Sequence, residues 1–317
     1  MRNNYLLIDP LEKLNPKKDS SLLLAHTLKE AGHSVHLLFE QDFYLTNEGA
    51  PYFHVYDFVS EQKPDSQYLS KFVLGGERIS KLAANDMIHM RLDPPFDSRY
   101  LRICWMLKSL KAFGAKIVND PEGIILFNEK LFAYGLPGSI PSFVGASRLD
   151  FLSFVERQKE KGVTSFILKP LDLSQGIGVE KMEANDPDLA AKFVKKCQEL
   201  QGPLVVQPFI KEVAQGEVRS IYFKGVELGS ILKVPVKGEF LANIAQGASY
   251  HQIALNDVQR KRCEVACAEL SRFGVDWVAF DILGDALSEI NITCPGLLVE
   301  VSEAMKTNLA LKIVEQL

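Results

Sequence analysis

Short apolar runs alternate with longer amphipathic segments along roughly the first 120 residues of the chain. The apolar runs are typical of strands, and the amphipathic segments are typical of helices that stop at glycines. The predicted strands are residues 6–8, 35–38, 87–90 and 116–118, and the predicted helices are residues 20–31 and 99–113. Because helices that alternate with strands cover both faces of a sheet, this pattern predicts an α/β fold with a parallel sheet.

A second pattern lies at residues 280–291, where two apolar runs flank a Gly-Asp pair and predict a β-hairpin. Strand side chains alternate between faces, so Glu289 and Asn291 share one face. A connection over residues 284–286 places Asp281 opposite Glu289 on that face, whereas a two-residue turn places it on the other. Carboxylate and amide oxygens suit Mg²⁺, which is usually held together with substrate phosphates. The alternative is an ordinary hairpin with solvated acids.

Residues 165–179 indicate a strand that ends in Lys169, followed by a loop that contains Gly176 and Gly178. Glycines let backbone N–H groups approach an anionic phosphate closely, and a lysine adds a compact positive charge beside it. Lys130 follows a predicted helix start, where outward-pointing N–H groups favour anions. Together these features predict a phosphate site.

Residues 204–210 read as a buried strand that leaves its sheet through Pro208. A proline cannot donate to a sheet ladder, so the last backbone groups of this strand are free to bond something other than a neighbouring strand. The edge of an adenine ring would fit there.

Taken in chain order, these segments resemble the ATP-grasp ligases, and most closely the bacterial glutathione synthetases, over nearly the whole chain. The resemblance is carried by residues 8–10, 17–21, 91–97, 128–132, 167–172 and 289–293. The segment 91–97 is the most specific, because few families place two prolines between acids after a short strand. The resemblance implies an ATP-grasp fold with an N-terminal parallel-sheet (pre-ATP-grasp) domain at 1–125, a small lid domain at 126–205 and a C-terminal α+β domain with the metal site at 206–317.

The implied activity belongs to glutathione biosynthesis: the cysteinyl carboxylate of γ-glutamylcysteine is phosphorylated with ATP, and glycine attacks the acyl phosphate. Such catalysis needs positioning and charge neutralisation more than covalent chemistry by the protein. The implied roles are phosphate binding by Lys130, Lys169, Gly176 and Gly178, adenine binding by Gln207, Pro208, Phe209 and Ile210, ribose binding by Glu217, catalysis by Arg219 and Lys169, and binding of Mg²⁺ (or Mn²⁺) by Asp281, Glu289 and Asn291.

The sequence departs from the family pattern where substrate is held. Leu241, Ser249 and Val299 stand where the family carries arginines, and none of them can bind a carboxylate in the bidentate way of arginine. Arg91, near the C-terminal end of a predicted parallel strand, is therefore expected to be the principal anchor for a substrate carboxylate. Asn243 lies in a predicted mobile segment and is expected to contact substrate as well.

Three hypotheses follow for the function. The first is glutathione synthetase activity, and the second is a ligase of the same lineage that joins a different carboxylate and amine, which the missing arginines favour. The third is a non-catalytic nucleotide-binding relative. It is disfavoured because the implied ATP and metal residues are all present.

Composition predicts a globular protein of two or three subdomains, with 317 residues, 47% hydrophobic and 24% charged. The net charge is −4, and the lysines and arginines are spread throughout the sequence. The sequence therefore predicts no basic patch that would bind nucleic acid. No apolar run approaches the ~20 residues of a membrane span, and Met1 is followed by a predicted strand instead of a signal peptide. We therefore expect a cytoplasmic protein that acts on small molecules without membrane partners.

Five scattered cysteines do not form a disulfide framework. Cys294, just past the predicted metal ligands, is expected to have a packing role, with a redox role as the alternative. The resemblance also implies a homotetramer.

Overall fold

The computed structural model of the chain describes residues 2–174 and 176–317. Met1 and Gln175, the latter within the predicted phosphate loop, lie outside the described residues. The described part folds into three sheets with helices packed on their faces, and the expected α/β class is confirmed. No helix in this part of the chain is long and apolar enough to cross a lipid bilayer.

The first sheet has six strands in the order β4-β3-β2-β1-β5-β6. They are β1 (Asn3–Ile8), β2 (Ser34–Phe39), β3 (Tyr52–Gln62), β4 (Leu69–Lys81), β5 (Met87–Arg91) and β6 (Lys116–Val118). Strands β1, β2, β5 and β6 are parallel, as predicted, whereas β3 and β4 form an antiparallel hairpin that the sequence analysis did not include. The sheet is therefore mixed.

Three helices accompany this sheet: α1 (Ser20–Glu30), α2 (Ser98–Leu110) and α3 (Pro121–Leu126). Each begins at an aspartate whose side chain accepts backbone N–H bonds of the first turn, which are otherwise unsatisfied. Buried apolar clusters cover both faces of the sheet, so its parallel strands are apolar on both sides.

The second sheet has the order β7-β10-β8-β9 and consists of β7 (Phe143–Gly145), β8 (Ser165–Pro170), β9 (Glu180–Glu183) and β10 (Leu204–Pro208). The helices α5 (Arg148–Lys159) and α6 (Leu189–Glu199) pack against each other through a stacked pair, Phe151 and Phe193, whose ring centroids are 4.1 Å apart. Both rings belong to the buried cluster that contains apolar residues of β8 and β10. The helix α4 (Glu129–Gly135) precedes this sheet but packs on the third sheet, because Ala133 shares a buried cluster with Ile290. The domain boundaries stay a prediction.

The third sheet is antiparallel, with the order β13-β12-β11-β14-β15. Its strands are β11 (Glu217–Phe223), β12 (Val226–Val234), β13 (Ser249–Gln252), β14 (Trp277–Leu283) and β15 (Ala286–Asn291), and the helices that follow β13 and β15 are α7 (Asp257–Ser271), α8 (Leu298–Met305) and α9 (Leu309–Val314).

The β14–β15 hairpin has a two-residue turn, since Leu283 pairs with Ala286. The expectation that such a turn would place Asp281 on the other face from Glu289 is wrong, because Asp281 pairs directly with Glu289. The register shifts between Asp281 and Ile282, so β15 carries one extra residue at this point. A β-bulge of this kind compensates for the shorter turn and restores the common face.

Candidate active site

A cavity of about 650 Å³ is lined by residues from all three sheets. Its size falls in the range of small-molecule sites. The structure brings nearly all of the predicted site residues together there: Arg91, Lys130, Lys169, Gly176, Gln207, Pro208, Phe209, Ile210, Glu217, Arg219, Asn243, Asp281, Glu289 and Asn291.

Gly178 is the predicted site residue that is not part of this lining. It has φ of +73°, and a Cβ atom at this position would lie 2.9 Å from Cγ of Pro170. Both the left-handed backbone and the close approach to Pro170 require glycine here.

Lys130 and Lys169 converge on one end of the cavity from different elements. Asn128 caps α4 by accepting from the N–H groups of Lys130 and Leu131, which fixes the start of the helix. The Lys130 side chain, 7% exposed, donates to the Leu173 carbonyl at 2.7 Å and lies 3.0 Å from Oε1 of Glu289. Burial lowers the pKa of Lys169. The charge of Lys130 lowers the pKa of Lys169 as well, so a polyanionic ligand such as a phosphate chain would be favoured beside these two ammonium groups.

The end of β10 leaves one side open toward the cavity. On that side, β7 pairs only with residues 204–206 of β10, so in the described structure the β7 ladder stops before Gln207. Phe209 meets Phe240 edge-on, with centroids 6.3 Å apart, and Lys181 lies over the Phe209 ring at 4.5 Å. A strand edge without a β7 partner beside an aromatic wall suits a planar heterocycle, and adenine binding at this place stays a prediction.

A buried charge cluster occupies the face of the third sheet. The two oxygens of Asp281 bind Lys233 Nζ at 2.7 Å and Arg219 Nη2 at 3.0 Å, and Asn291 Nδ2 donates to the second oxygen at 3.0 Å. Lys233 Nζ also lies 2.8 Å from Oε2 of Glu217. Burial by itself would raise the pKa of Asp281, but Arg219 and Lys233 outweigh it and hold the pKa at about 2.

Lys233 is a site residue that the sequence analysis missed. Burial opposes its charge, yet Asp281 and Glu217 raise its pKa, so it stays an ammonium group. A signal was present, because Lys233 follows a run of mostly apolar residues and faces Glu217 across the β11–β12 ladder. That pairing depends on strand register, which the sequence reading did not establish for these strands.

Asp281, Glu289 and Asn291 supply two carboxylates and an amide, a donor set that fits a hard divalent cation. Among the described residues, no group of three or more His, Cys, Asp or Glu side chains could hold a metal ion. A cation at this place would therefore depend on ligand oxygens as well as protein oxygens, which is how Mg²⁺ is usually bound beside phosphates.

The cavity lining also contains Arg91, which is only 4% exposed. Its Nε donates to Ser21 Oγ at 3.0 Å, its Nη2 donates to the Pro295 carbonyl at 2.8 Å, and its guanidinium lies 4.1 Å from the Trp277 ring centroid. Some of the hydrogen-bond donors of Arg91 are thus used within the protein. The sequence could not reveal these internal bonds.

Of the three positions where the sequence analysis noted missing arginines, Leu241 alone lines the cavity in the described structure. Ser249 is exposed on β13, and Val299 is buried in a hydrophobic cluster. Asn243, which accepts from the Ala245 N–H at 2.9 Å, belongs to the same cavity wall as Leu241.

Two family models match the sequence of this chain. The N-terminal domain of prokaryotic glutathione synthetase matches residues 3–124, and its ATP-grasp domain matches residues 129–306. Glutathione synthetase of Parasynechococcus marenigrum (strain WH8102) is 30% identical over 100% of this chain and 99% of its own. That of Coxiella burnetii (strain RSA 493 / Nine Mile phase I) is 30% identical over 92% of this chain and 88% of its own.

Solved structures share the fold at lower sequence identity. The D-cycloserine synthetase DcsG superposes with a TM-score of 0.66 at 15% identity and covers 99% of both chains. The macrocyclase MdnC of Microcystis aeruginosa, bound with its precursor peptide MdnA, superposes with a TM-score of 0.64 at 15% identity over 100% of this chain and 99% of its own. The chain therefore belongs to the prokaryotic glutathione synthetase family and is an ATP-dependent carboxylate–amine ligase of the ATP-grasp fold.

Proposed function

We propose that this ligase joins γ-glutamylcysteine to glycine through an acyl phosphate. The observation that carries the proposal is that Lys130 and Lys169 share one cavity with Asp281, Glu289 and Asn291. Phosphoryl transfer from ATP needs such cations around the phosphates and such oxygens for a divalent metal.

In the first step, a carboxylate oxygen of the donor bonds to the γ-phosphorus of ATP, and the bond from that phosphorus to the bridging oxygen of ADP breaks. Lys130 and Lys169 neutralise the phosphates, while Arg219 and Lys233 lie beside Asp281, where charge on the transferred group would be stabilised. In the second step, the amine attacks the carbonyl carbon, inorganic phosphate leaves, and the amine loses a proton. A bound Mg²⁺ would supply charge neutralisation at the phosphate oxygens.

The wall formed by residues 240–245 is uncharged and closes the cavity near Gly176, since a Cβ atom there would lie 3.2 Å from Leu241 Cδ1. An apolar wall excludes water, which would otherwise hydrolyse the acyl phosphate. Leu241 also favours a second candidate, a ligase of the same lineage with a different acceptor amine, because a leucine cannot bind the carboxylate of glycine.

The proposal includes Mg²⁺ as the metal, Asn243 and Arg91 as substrate contacts, a homotetrameric assembly and action in the cytoplasm. These points rest on the resemblance to the family. Size-exclusion chromatography with light scattering tests the assembly, and a mass other than four chains would contradict it.

ADP release by the purified protein tests the activity. We expect release with ATP, Mg²⁺, γ-glutamylcysteine and glycine, and a loss on the order of 100-fold or more in Glu289→Gln, because one metal-binding oxygen becomes an amide. Glu180→Gln is the matched control, since Glu180 pairs with Lys196 on the lid and does not line the cavity. Release with other acceptors but not glycine would select the second candidate, and no release with any pair would contradict both.

A further inference from the structure

Glu300 is a buried carboxylate of the cavity that the mechanism above does not use. It stands in the first turn of α8, is 3% exposed and lines the cavity. Its Oε2 has no hydrogen-bond partner within the part of the chain that the structure describes. A buried carboxyl oxygen without a hydrogen-bond partner is costly, so its place in a cavity wall indicates that a ligand supplies the partner.

One neighbouring acid, Asp19, cannot take that role in the same way. Asp19 lines the same end of the cavity, but it accepts the N–H groups of Ser21 and Leu22 as the cap of α1. Asp93 is the third carboxylate of this end, while the nearby cations are Lys18 and the internally bonded Arg91. The charge of Arg219 also acts on Glu300, but Arg219 is paired with Asp281 at 3.0 Å. The three carboxylates therefore outnumber the cations left to balance them, and a positively charged group on a ligand would be favoured.

Arg219 connects this end to the phosphate end. It binds Asp281 at 3.0 Å, and its charge also acts on Glu300. Burial raises the pKa of Glu300, and Lys18 and Arg219 oppose that shift. A cation brought by a ligand would oppose the upward shift as well and favour the charged form of Glu300.

We propose that Glu300 binds an ammonium group of the acyl donor and makes the ligase selective for carboxylic acids that carry an amino group away from the reacting carboxyl. The inference rests on the proposed function, because it assumes an acyl donor in this cavity. It assigns a specificity-determining role to one side chain of α8. A purely structural role at the helix start would affect all donors equally.

Two donors that differ only in the amino group test the inference: γ-glutamylcysteine and N-glutarylcysteine. With wild-type protein, we expect a KM about 10-fold or more lower for the amino form, the typical effect of one charge-assisted hydrogen bond. Glu300→Gln should reduce that ratio toward one while kcat changes little. Glu303→Gln is the control, since Glu303 lies on the same helix and binds Ser66 and Gln67 outside the cavity.

Glu300→Asp keeps the charge on a shorter side chain and should retain part of the preference, so the test survives if Glu300→Gln fails to fold. Equal KM values for the two donors in wild type, or an unchanged ratio in Glu300→Gln, would overturn the inference and leave the ligase function intact. No ADP release from either donor with any acceptor would instead overturn the proposed function, and the inference with it.

Discussion

Asp281 is the residue on which the charges of the site converge. Its two oxygens bind Lys233, Arg219 and Asn291, and these partners keep its pKa at about 2, below the ordinary 3.8. A lowered pKa in the folded state means that the ionised carboxylate stabilises the fold above pH ~4, and that this contribution is lost as the pH falls toward 2.

We expect Asp281→Asn to lower the free energy of unfolding at pH 7 by about 2 kcal/mol, the value of a shift of this size. The difference between wild type and variant should shrink below pH 4, because the unfolded wild-type chain is then protonated at Asp281 while the folded protein takes up this proton only near pH 2. Urea unfolding at several pH values measures it, with the exposed Asp188→Asn as control. A difference that stays constant down to pH 2 would contradict the assignment.

Lys169 is expected to bind the phosphates of ATP. Its burial lowers its pKa, and a phosphate chain would compensate for the cost of its charge. Lys169→Met should weaken ATP binding by roughly 1.5–3 kcal/mol, the typical effect of losing a hydrogen bond to a charged group. Calorimetry checks this against Lys196→Met, a lysine of α6 outside the cavity lining. Equal affinity in both variants would remove Lys169 from the site.

At the scale of elements, the start of α4 holds the end of β15. Oε1 of Glu129 accepts from the Ile292 N–H at 2.7 Å, the Thr293 N–H at 2.9 Å and the Thr293 hydroxyl at 2.9 Å. The next residue, Lys130, reaches Glu289 on the same strand. A short helix thus positions both a lysine that is predicted to bind phosphate and a strand that is predicted to bind the metal.

Glu129→Ala leaves two backbone N–H groups of residues 292 and 293 without this acceptor. We expect it to lower the free energy of unfolding by about 3 kcal/mol, and Glu129→Gln to lower it less, because an amide oxygen can still accept. Urea unfolding measures the order of the two variants. The exposed Glu122→Ala, which loses surface ion pairs to Lys108 and Lys111, should change it by less than about 1 kcal/mol. The reverse order among these variants would refute the role of Glu129.

At the scale of the whole molecule, Arg91 connects the N-terminal sheet to the C-terminal part of the chain. It leaves β5, bonds Ser21 of α1 and the Pro295 carbonyl, and lies on the ring of Trp277 in β14. The same residue is the predicted anchor for a substrate carboxylate, so substitution should affect both stability and binding.

Arg91→Ala removes two hydrogen bonds and a cation–π contact, and we expect it to lower the free energy of unfolding by about 3 kcal/mol. The KM for the acyl donor should rise far more than the KM for ATP. Thermal unfolding and ADP release measure the two effects, with the exposed Arg102→Ala on α2 as control. An unchanged donor KM would refute the anchor, and an unchanged stability would refute the structural connection.

Features that depend on local sequence were predictable. Backbone sterics and helix capping act over one turn or one strand. A few neighbouring residues were therefore enough to predict the strand and helix periods, the helix start at Asn128 and the glycines of the loop after Lys169. These local features assigned most of the predicted site residues to the correct strands and helices. The order of the motifs along the chain indicated the family.

Other features depend on residues far apart in the chain, and only the tertiary structure decided them. The bulge in β15 sets the face of Asp281, the β11–β12 register brings Lys233 to Glu217, and packing leaves Oε2 of Glu300 without a donor. Arg91 and Pro295 are 204 residues apart, and their hydrogen bond shows why the sequence could not reveal how much of this arginine remains for substrate. Hydrogen-bond partners and burial are properties of the assembled fold, and they determine the charge that each site residue carries.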